Sequence, residues 1–190
     1  MKRLSSFWCA MVWRDGLHLY LLENNPDACV WSGYVGIKNN ANKMLAELAA
    51  IDRLKPLLKQ RFHDRFFHRG TLLTVDVADS QSGGQASVWL MAMLLTTPAE
   101  IDAVAVGYVM NAQAQAHFSL DPPRLIFPLA KMGKPWIASR LSTKLRKHTV
   151  YCERPKANGY GYVPCGTCVA CKRHKQMMVV VSCFQRQCSK

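Results

Sequence analysis

The sequence is short of acid. Twelve aspartates and glutamates face 25 lysines and arginines in 190 residues, giving a formal net charge of +13. A field of that sign attracts nucleic acid, nucleotides or other anions, and by itself does not say which. Long apolar runs are also missing. The longest, VWLMAMLL at 88–95, is far below the eighteen or so residues that cross a bilayer, so no membrane segment is expected. The opening MKRLSSFWCAMVWRDG starts basic, but Arg14 and Asp15 interrupt it before a signal-peptide core forms, and a cytoplasmic location follows as the expectation. There is no internal repeat, low-complexity segment or linker. At 49 % hydrophobic, the chain suffices for one core and is expected to be a single domain over 1–190. Six histidines are scattered, and none stands at a spacing to cysteine or carboxylate that would define a triad or an open metal site.

What the chain does have is a cluster of thiols. Cysteines 152, 165, 168 and 171 form C-x12-C-x2-C-x2-C in the stretch YCERPKANGYGYVPCGTCVACKRHK. Gaps of two residues let a tight turn bring successive sulfurs within about 4 Å, the edge of a tetrahedron around zinc with bonds of about 2.3 Å. Gly166 suits that turn. Clustered thiols in a reducing compartment predict a four-thiolate zinc site on Cys152, Cys165, Cys168 and Cys171, within a module at 150–176. Two disulfides are the alternative. Four thiolates leave no open coordination position, so the expected metal is structural. Cys9, Cys29, Cys183 and Cys188 lie apart and read as small buried or free thiols.

Apolar spacing gives the elements. Residues 2–13 read as a strand running into a short helical turn, and DGLHLYLLEN (15–24) alternates as a second strand, broken by Asn24, Asn25 and Pro26. From 40 to about 62, Met44, Leu45, Leu48, Ile51, Leu54, Leu57 and Leu58 recur at three and four residues, the mark of an amphipathic helix with Pro56 as a site for a kink. TLLTVDV after Gly70 reads as a strand and ADSQSGGQ as a turn. ASVWLMAMLL reads as a buried helix and IDAVAVGYV as a buried strand, while LIFPLAKMGKPWIASRL reads as strand, turn and helix. The tail MMVVVSCF reads as a last strand at a sheet edge. Strands separated by helices predict an α/β fold with a mostly parallel sheet.

PLAKMGKPWI, of the form P-L-x4-K-x2-I, followed by a lone cysteine and then CGTCVAC, resembles the C-terminal third of the 7-cyano-7-deazaguanine synthases. YVGIKNNANKMLAELAAIDRL, and SVWLMAMLL followed by IDAVAVGYV, follow in the family's order. The resemblance implies a Rossmann-like core of the adenine nucleotide α-hydrolase type, a four-cysteine zinc site, and ATP-dependent conversion of a 7-deazaguanine carboxylate through an amide to a nitrile. It also implies a phosphate loop of the form S-G-G-x-D-S. Here LSSFWCA (4–10) stands in that place: Ser5 fits the opening serine, but Ser6 and Phe7 replace the glycines, and Cys9 and Ala10 replace the acid and the last serine. Bulky side chains and a missing acid argue against ATP and Mg²⁺ there. SGGQAS at 82–87 is a second nucleotide-loop candidate through Ser82, Gly83, Gly84 and Ser87, with Ala86 in place of the acid.

Other candidates follow from position. Tyr34, Lys38 and Asn39, after a strand, are candidates to hold a purine-like base and its phosphate, or else form a polar loop. His117 lies after a buried strand, where α/β sheets bind ligands. RLKPLLKQRFHDRFFHR (53–69) and SRLSTKLRKH (139–148) are the densest basic stretches, and Lys172, Arg173 and Lys175 follow the cysteines as candidate nucleic-acid contacts. Residues 139–148 and 172–175 are expected to meet on one face, with Tyr160 and Tyr162 available to stack on unpaired bases. Two functional classes result: an enzyme-like protein of 7-deazaguanine metabolism, or a non-catalytic zinc protein that binds nucleic acid, a nucleotide or a protein partner through a basic surface.

Overall fold

Strand β1 (Lys2–Trp8) is the middle of a five-stranded sheet. The computed structural model describes residues 2–8, 12–38, 41–75, 95–107 and 125–187. On one side of β1 lies β2 (Ala28–Ile37), in register from Lys2 opposite Ala28 to Trp8 opposite Tyr34. On the other lies β4 (Ala103–Ala105), with Leu4 opposite Ala103 and Ser6 opposite Ala105. Outside these sit β3 (Phe66–Val75) and β5 (Leu125–Ile126), and the order is β3-β2-β1-β4-β5. Every pairing in this sheet is parallel. Parallel neighbours require crossover connections, and an order that reverses beside β1 is that of doubly wound α/β folds. The expected α/β class is therefore what the chain adopts.

Helix α1 (Val12–Asn24) connects β1 to β2, so DGLHLYLLEN is helical and the strand expected there is corrected. Gly16, Leu17, His18, Leu19, Leu21 and Leu22 are all buried. A helix covered nearly all round loses its one-sided pattern, and leucines at 17, 19 and 21 then imitate strand alternation. The helix ends where the sequence indicates: the Asn24 and Asn25 side-chain amides donate to the carbonyls of Tyr20 and Leu21 at 2.8 and 2.9 Å. Arg65 donates to the Leu22, Asn25 and Pro26 carbonyls, satisfying acceptors that a helix end leaves open.

Helix α2 (Ala41–Phe62) follows β2 and runs through Pro56, burying Ala50, Ile51, Leu54 and Leu58. Strand β3 starts four residues before the expected boundary at Gly70 and passes through it. Gly70 has φ +80°, and the register against β2 slips between Ser32 and Tyr34, so the glycine marks a bulge within the strand and not its start.

Beyond β5 come α3 (Lys134–Arg140) and α4 (Thr143–Arg146). A Cβ on Gly16 would lie 2.3 Å from Ile137 Cγ2, so this glycine lets α1 and α3 approach closely. The hairpin β6 (Lys156–Ala157) and β7 (Tyr162–Val163) carries Tyr160 at its exposed tip. Helix α5 (Val169–Gln187) then takes in the tail MMVVVSCF, which corrects the edge strand expected there. Met177 and Val181, four residues apart, pack on Ala138 of α3, whereas Val179 is exposed. Helical packing outweighs the strand preference of three consecutive valines. Among the described residues, no helix is long and apolar enough to cross a membrane.

Candidate metal centre

Three local segments bring the four thiols together. Cys152 ends the stretch leaving α4, Cys165 and Cys168 flank a turn after β7, and Cys171 lies near the start of α5. Gly166 takes φ +76° in that turn, a conformation that L side chains adopt at a cost. The Cys152 and Cys168 sulfurs are 3.9 Å apart, as are those of Cys165 and Cys171, and all four lie within 4.8 Å of one another. A disulfide holds its sulfurs at about 2.05 Å. The four cysteines are free thiols, and the two 3.9 Å separations match the roughly 3.8 Å edge of a tetrahedron with 2.3 Å bonds to zinc.

The backbone turns donors toward the sulfurs. The N–H groups of Arg154 and Cys165 point at Cys152 Sγ at 3.3 and 3.2 Å. Those of Cys168 and Cys171 point at Cys165 Sγ and Cys168 Sγ, both at 3.4 Å, and Thr167 Oγ1 donates to Cys165 Sγ. Donors of this kind favour thiolate over thiol. The Thr167 hydroxyl, helped by the Cys168 and Thr167 amides, draws the Cys165 pKa down to about 5. Burial, then the neighbouring Cys168 and Cys152 sulfurs, pushes Cys171 up to about 12. Burial also raises Cys152. Four crowded thiols thus cannot all ionise unaided, and a dication among them would reverse that balance.

Outside the sulfurs, the module is tied down twice. Lys43 of α2 forms an ion pair with Glu153, next to the first cysteine. Tyr151, just before that cysteine, stacks on His174 of α5 with centroids 3.6 Å apart and planes 10° from parallel. Burial, then the charge of Cys171, raises the Tyr151 pKa, and burial lowers that of His174.

The other described candidates lie on β1, on β2 and its end, and on α5. Ser5 lies inside β1, opposite Trp31 of β2 and Val104 of β4. Tyr34 is 1 % exposed and donates its phenolic hydrogen to Glu47 Oε2 at 2.6 Å, which makes it a core residue. Lys38 follows β2, exposed, with its amide bonded to the Val75 carbonyl at 2.9 Å. Ser82, Gly83, Gly84, Ser87, Asn39 and His117 lie outside the described residues, as do Cys9 and Cys188. Cys29 is buried, its thiol directed at the Asp64 carbonyl. Lys172, Arg173 and Lys175 are exposed on α5, and the charge of Arg173, after burial, lowers the pKa of Lys134 on α3.

Sequence reasoning did not single out Arg53, Arg146 and Lys147, which line one cavity of about 400 Å³ with Tyr151, Tyr162 and His174. They come from the two densest basic stretches. Density was the available signal, but only the fold shows which of their members meet.

No family model matches the chain. It is similar to 7-cyano-7-deazaguanine synthase 2 of Rhodopseudomonas palustris, with 46 % identity over 56 residues, 28 % of this chain and 26 % of that protein. The likeness therefore takes in about a quarter of the length of the curated relative.

Proposed function

We propose that the chain is a zinc-stabilised protein of 7-deazaguanine metabolism, built like the 7-cyano-7-deazaguanine synthases but without their use of ATP. The observation that carries it is the four-sulfur cluster with backbone donors aimed at its thiols, beside a parallel β3-β2-β1-β4-β5 sheet. The local identity to a synthase supports the same assignment. Cys152, Cys165, Cys168 and Cys171 would hold the zinc. Bound there, it supplies a cross-link between the segments and leaves no position open for a reacting water.

The case against ATP is one of backbone commitment. A phosphate loop needs N–H groups free to point at an anion. Ser6 and Phe7, in the place of the glycines, lie in the β1 ladder opposite Ser32 and Gly33. Only residues 9–11 separate β1 from α1, and Cys-Ala-Met contains no glycine.

The test combines calorimetric titration with 7-carboxy-7-deazaguanine and an assay of pyrophosphate release with that compound, ATP, Mg²⁺ and ammonia. Binding of the base without pyrophosphate release is expected. No binding would overturn the metabolic assignment, and substrate-dependent release would overturn the exclusion of ATP. If Gly83→Val or Gly84→Val then abolished release in a folded protein, SGGQAS would be the phosphate site.

A second reading draws on the exposed cations of α5. Lys172, Arg173 and Lys175 would bind nucleic acid through phosphates, with affinity falling steeply as salt rises. Binding of a labelled single strand and a duplex across a salt series, in wild type and in Lys172/Arg173/Lys175→Glu, decides it. Equal binding by the variant rejects this surface.

A further inference from the structure

We propose that the open cavity lined by α2, α4, the cysteine loop and α5 binds a mononucleotide-sized phosphate monoester, with the phosphate held by Arg53, Arg146 and Lys147. Arg53 comes from α2, Arg146 ends α4 and Lys147 follows it, and all three line the same space. Among the described residues, no carboxylate lines it. Among the described residues none of these cations has a carboxylate within salt-bridge distance.

Arg146 supplies a second observation. Its Nη2 donates to Thr143 Oγ1 at 3.2 Å, while its Nη1 is buried with no hydrogen-bond partner among the described residues. A buried guanidinium nitrogen without an acceptor is costly, so a turn of the Arg146 side chain toward an oxyanion in the cavity would be favoured. Nearby, burial and then Lys147, Arg53 and Lys144 lower the pKa of His148, consistent with several cations acting on one place.

Size and lining narrow the ligand class. About 400 Å³ falls within the range of small-molecule sites and exceeds what a bare phosphate fills. Val150, Val163, Met178, Tyr162 and the stacked Tyr151 and His174 offer an apolar and aromatic wall to an organic group. Walls on four segments suit a small ligand better than a duplex. The site is separate from the β1 loop and does not depend on the 7-deazaguanine reading, although it uses the folded cysteine module as a wall.

The experiment is calorimetric titration of the zinc-loaded protein at 0.15 M salt with AMP, GMP, adenosine, inorganic phosphate and a short single-stranded oligonucleotide. At least one mononucleotide should bind, phosphate more weakly, and adenosine not at all. Arg146→Met and Arg53→Met should each weaken binding about tenfold or more, with zinc content unchanged. Lys172/Arg173/Lys175→Glu should bind like wild type. Should Arg146→Met fail to fold, the exposed Arg53 carries the test. Failure of both mononucleotides to bind, adenosine binding as well as AMP, or unaltered binding by folded Arg146→Met and Arg53→Met would each overturn the site. So would binding of the oligonucleotide alone, which would transfer the ligand class to nucleic acid. Zinc content and 7-deazaguanine binding are measured separately, so failure here is distinguishable from failure of the proposed function.

Discussion

Tyr34 reaches across the core to Glu47, its hydroxyl 2.6 Å from Oε2, joining strand β2 to helix α2. Both side chains are buried, so the carboxylate depends on protein donors in place of water. Tyr34→Phe removes one of them and should destabilise the fold by roughly 1–3 kcal/mol, the cost of leaving a buried polar group without its partner. Chemical denaturation measures it. An unchanged midpoint with altered base binding would instead return Tyr34 to a ligand-contacting role.

Purified protein should carry about one zinc per chain and unfold or lose solubility when a strong chelator removes it. Cys168→Ser should reproduce the loss of metal. Cys188→Ser leaves all four cluster thiols in place and should keep its zinc. Metal analysis with thermal melts checks both. An unaltered melt of metal-free protein would sink the structural role.

Gly166→Ala forces a side chain into φ +76°, at a cost of about 1–2 kcal/mol. Nothing lies within 4 Å of the added Cβ, so the effect is backbone strain and not a clash. Because the turn sits between two cluster cysteines, zinc affinity should fall roughly tenfold, as read by competition with a chromogenic chelator.

His68 gives a pH signature. Burial, then the charge of Lys55, lowers its pKa to about 4, and its Nδ1 lies 3.0 Å from Ser32 Oγ. The unfolded chain therefore takes up this proton near pH 6.5, before the folded chain does. The contribution is present above pH 6.5 and is lost as pH falls toward 4. Since the ring keeps some contact with water, the loss should be on the order of 1–2 kcal/mol. Denaturation midpoints at pH 7 and pH 4.5, in wild type and His68→Gln, should show a shallower fall in the variant. Parallel falls would show that other groups carry the acid sensitivity.

The parts of the molecule that were legible in the sequence are those whose signal is local. The x2 gaps at Cys165, Cys168 and Cys171 require sulfurs on one turn, and the cluster follows. Helix α2 announces itself because Ile51, Leu54 and Leu58 face a core while Asp52, Arg53 and Lys59 face water. Helix α1 escapes its own spacing because residues 16–19, 21 and 22 are all buried, which leaves that stretch no polar face to set its period. The end of α5 was misread because valine favours strands, whereas α3 supplies a surface on which Met177 and Val181 pack one helical turn apart. The meeting of Arg53 with Arg146, more than ninety residues apart in sequence, has no local signature at all.

The central place of β1 also sets a schedule for synthesis. Its pairing with β2 needs only the next few dozen residues, but its other edge waits for β4, which begins roughly 95 residues after Trp8. At about 5–20 residues per second, the ribosome takes roughly 5–20 seconds to supply it. Through that interval the edge that receives Ala103–Ala105 offers open backbone donors and acceptors to any other strand. Asp102 extends the cover of β4 to Arg3: its carboxylate accepts from the Arg3 amide at 2.6 Å, and its own amide donates to the Arg3 carbonyl at 2.9 Å. The nascent half-sheet β3-β2-β1 is thus open to wrong partners until Asp102 and β4 together cover this edge from Arg3 to Ser6.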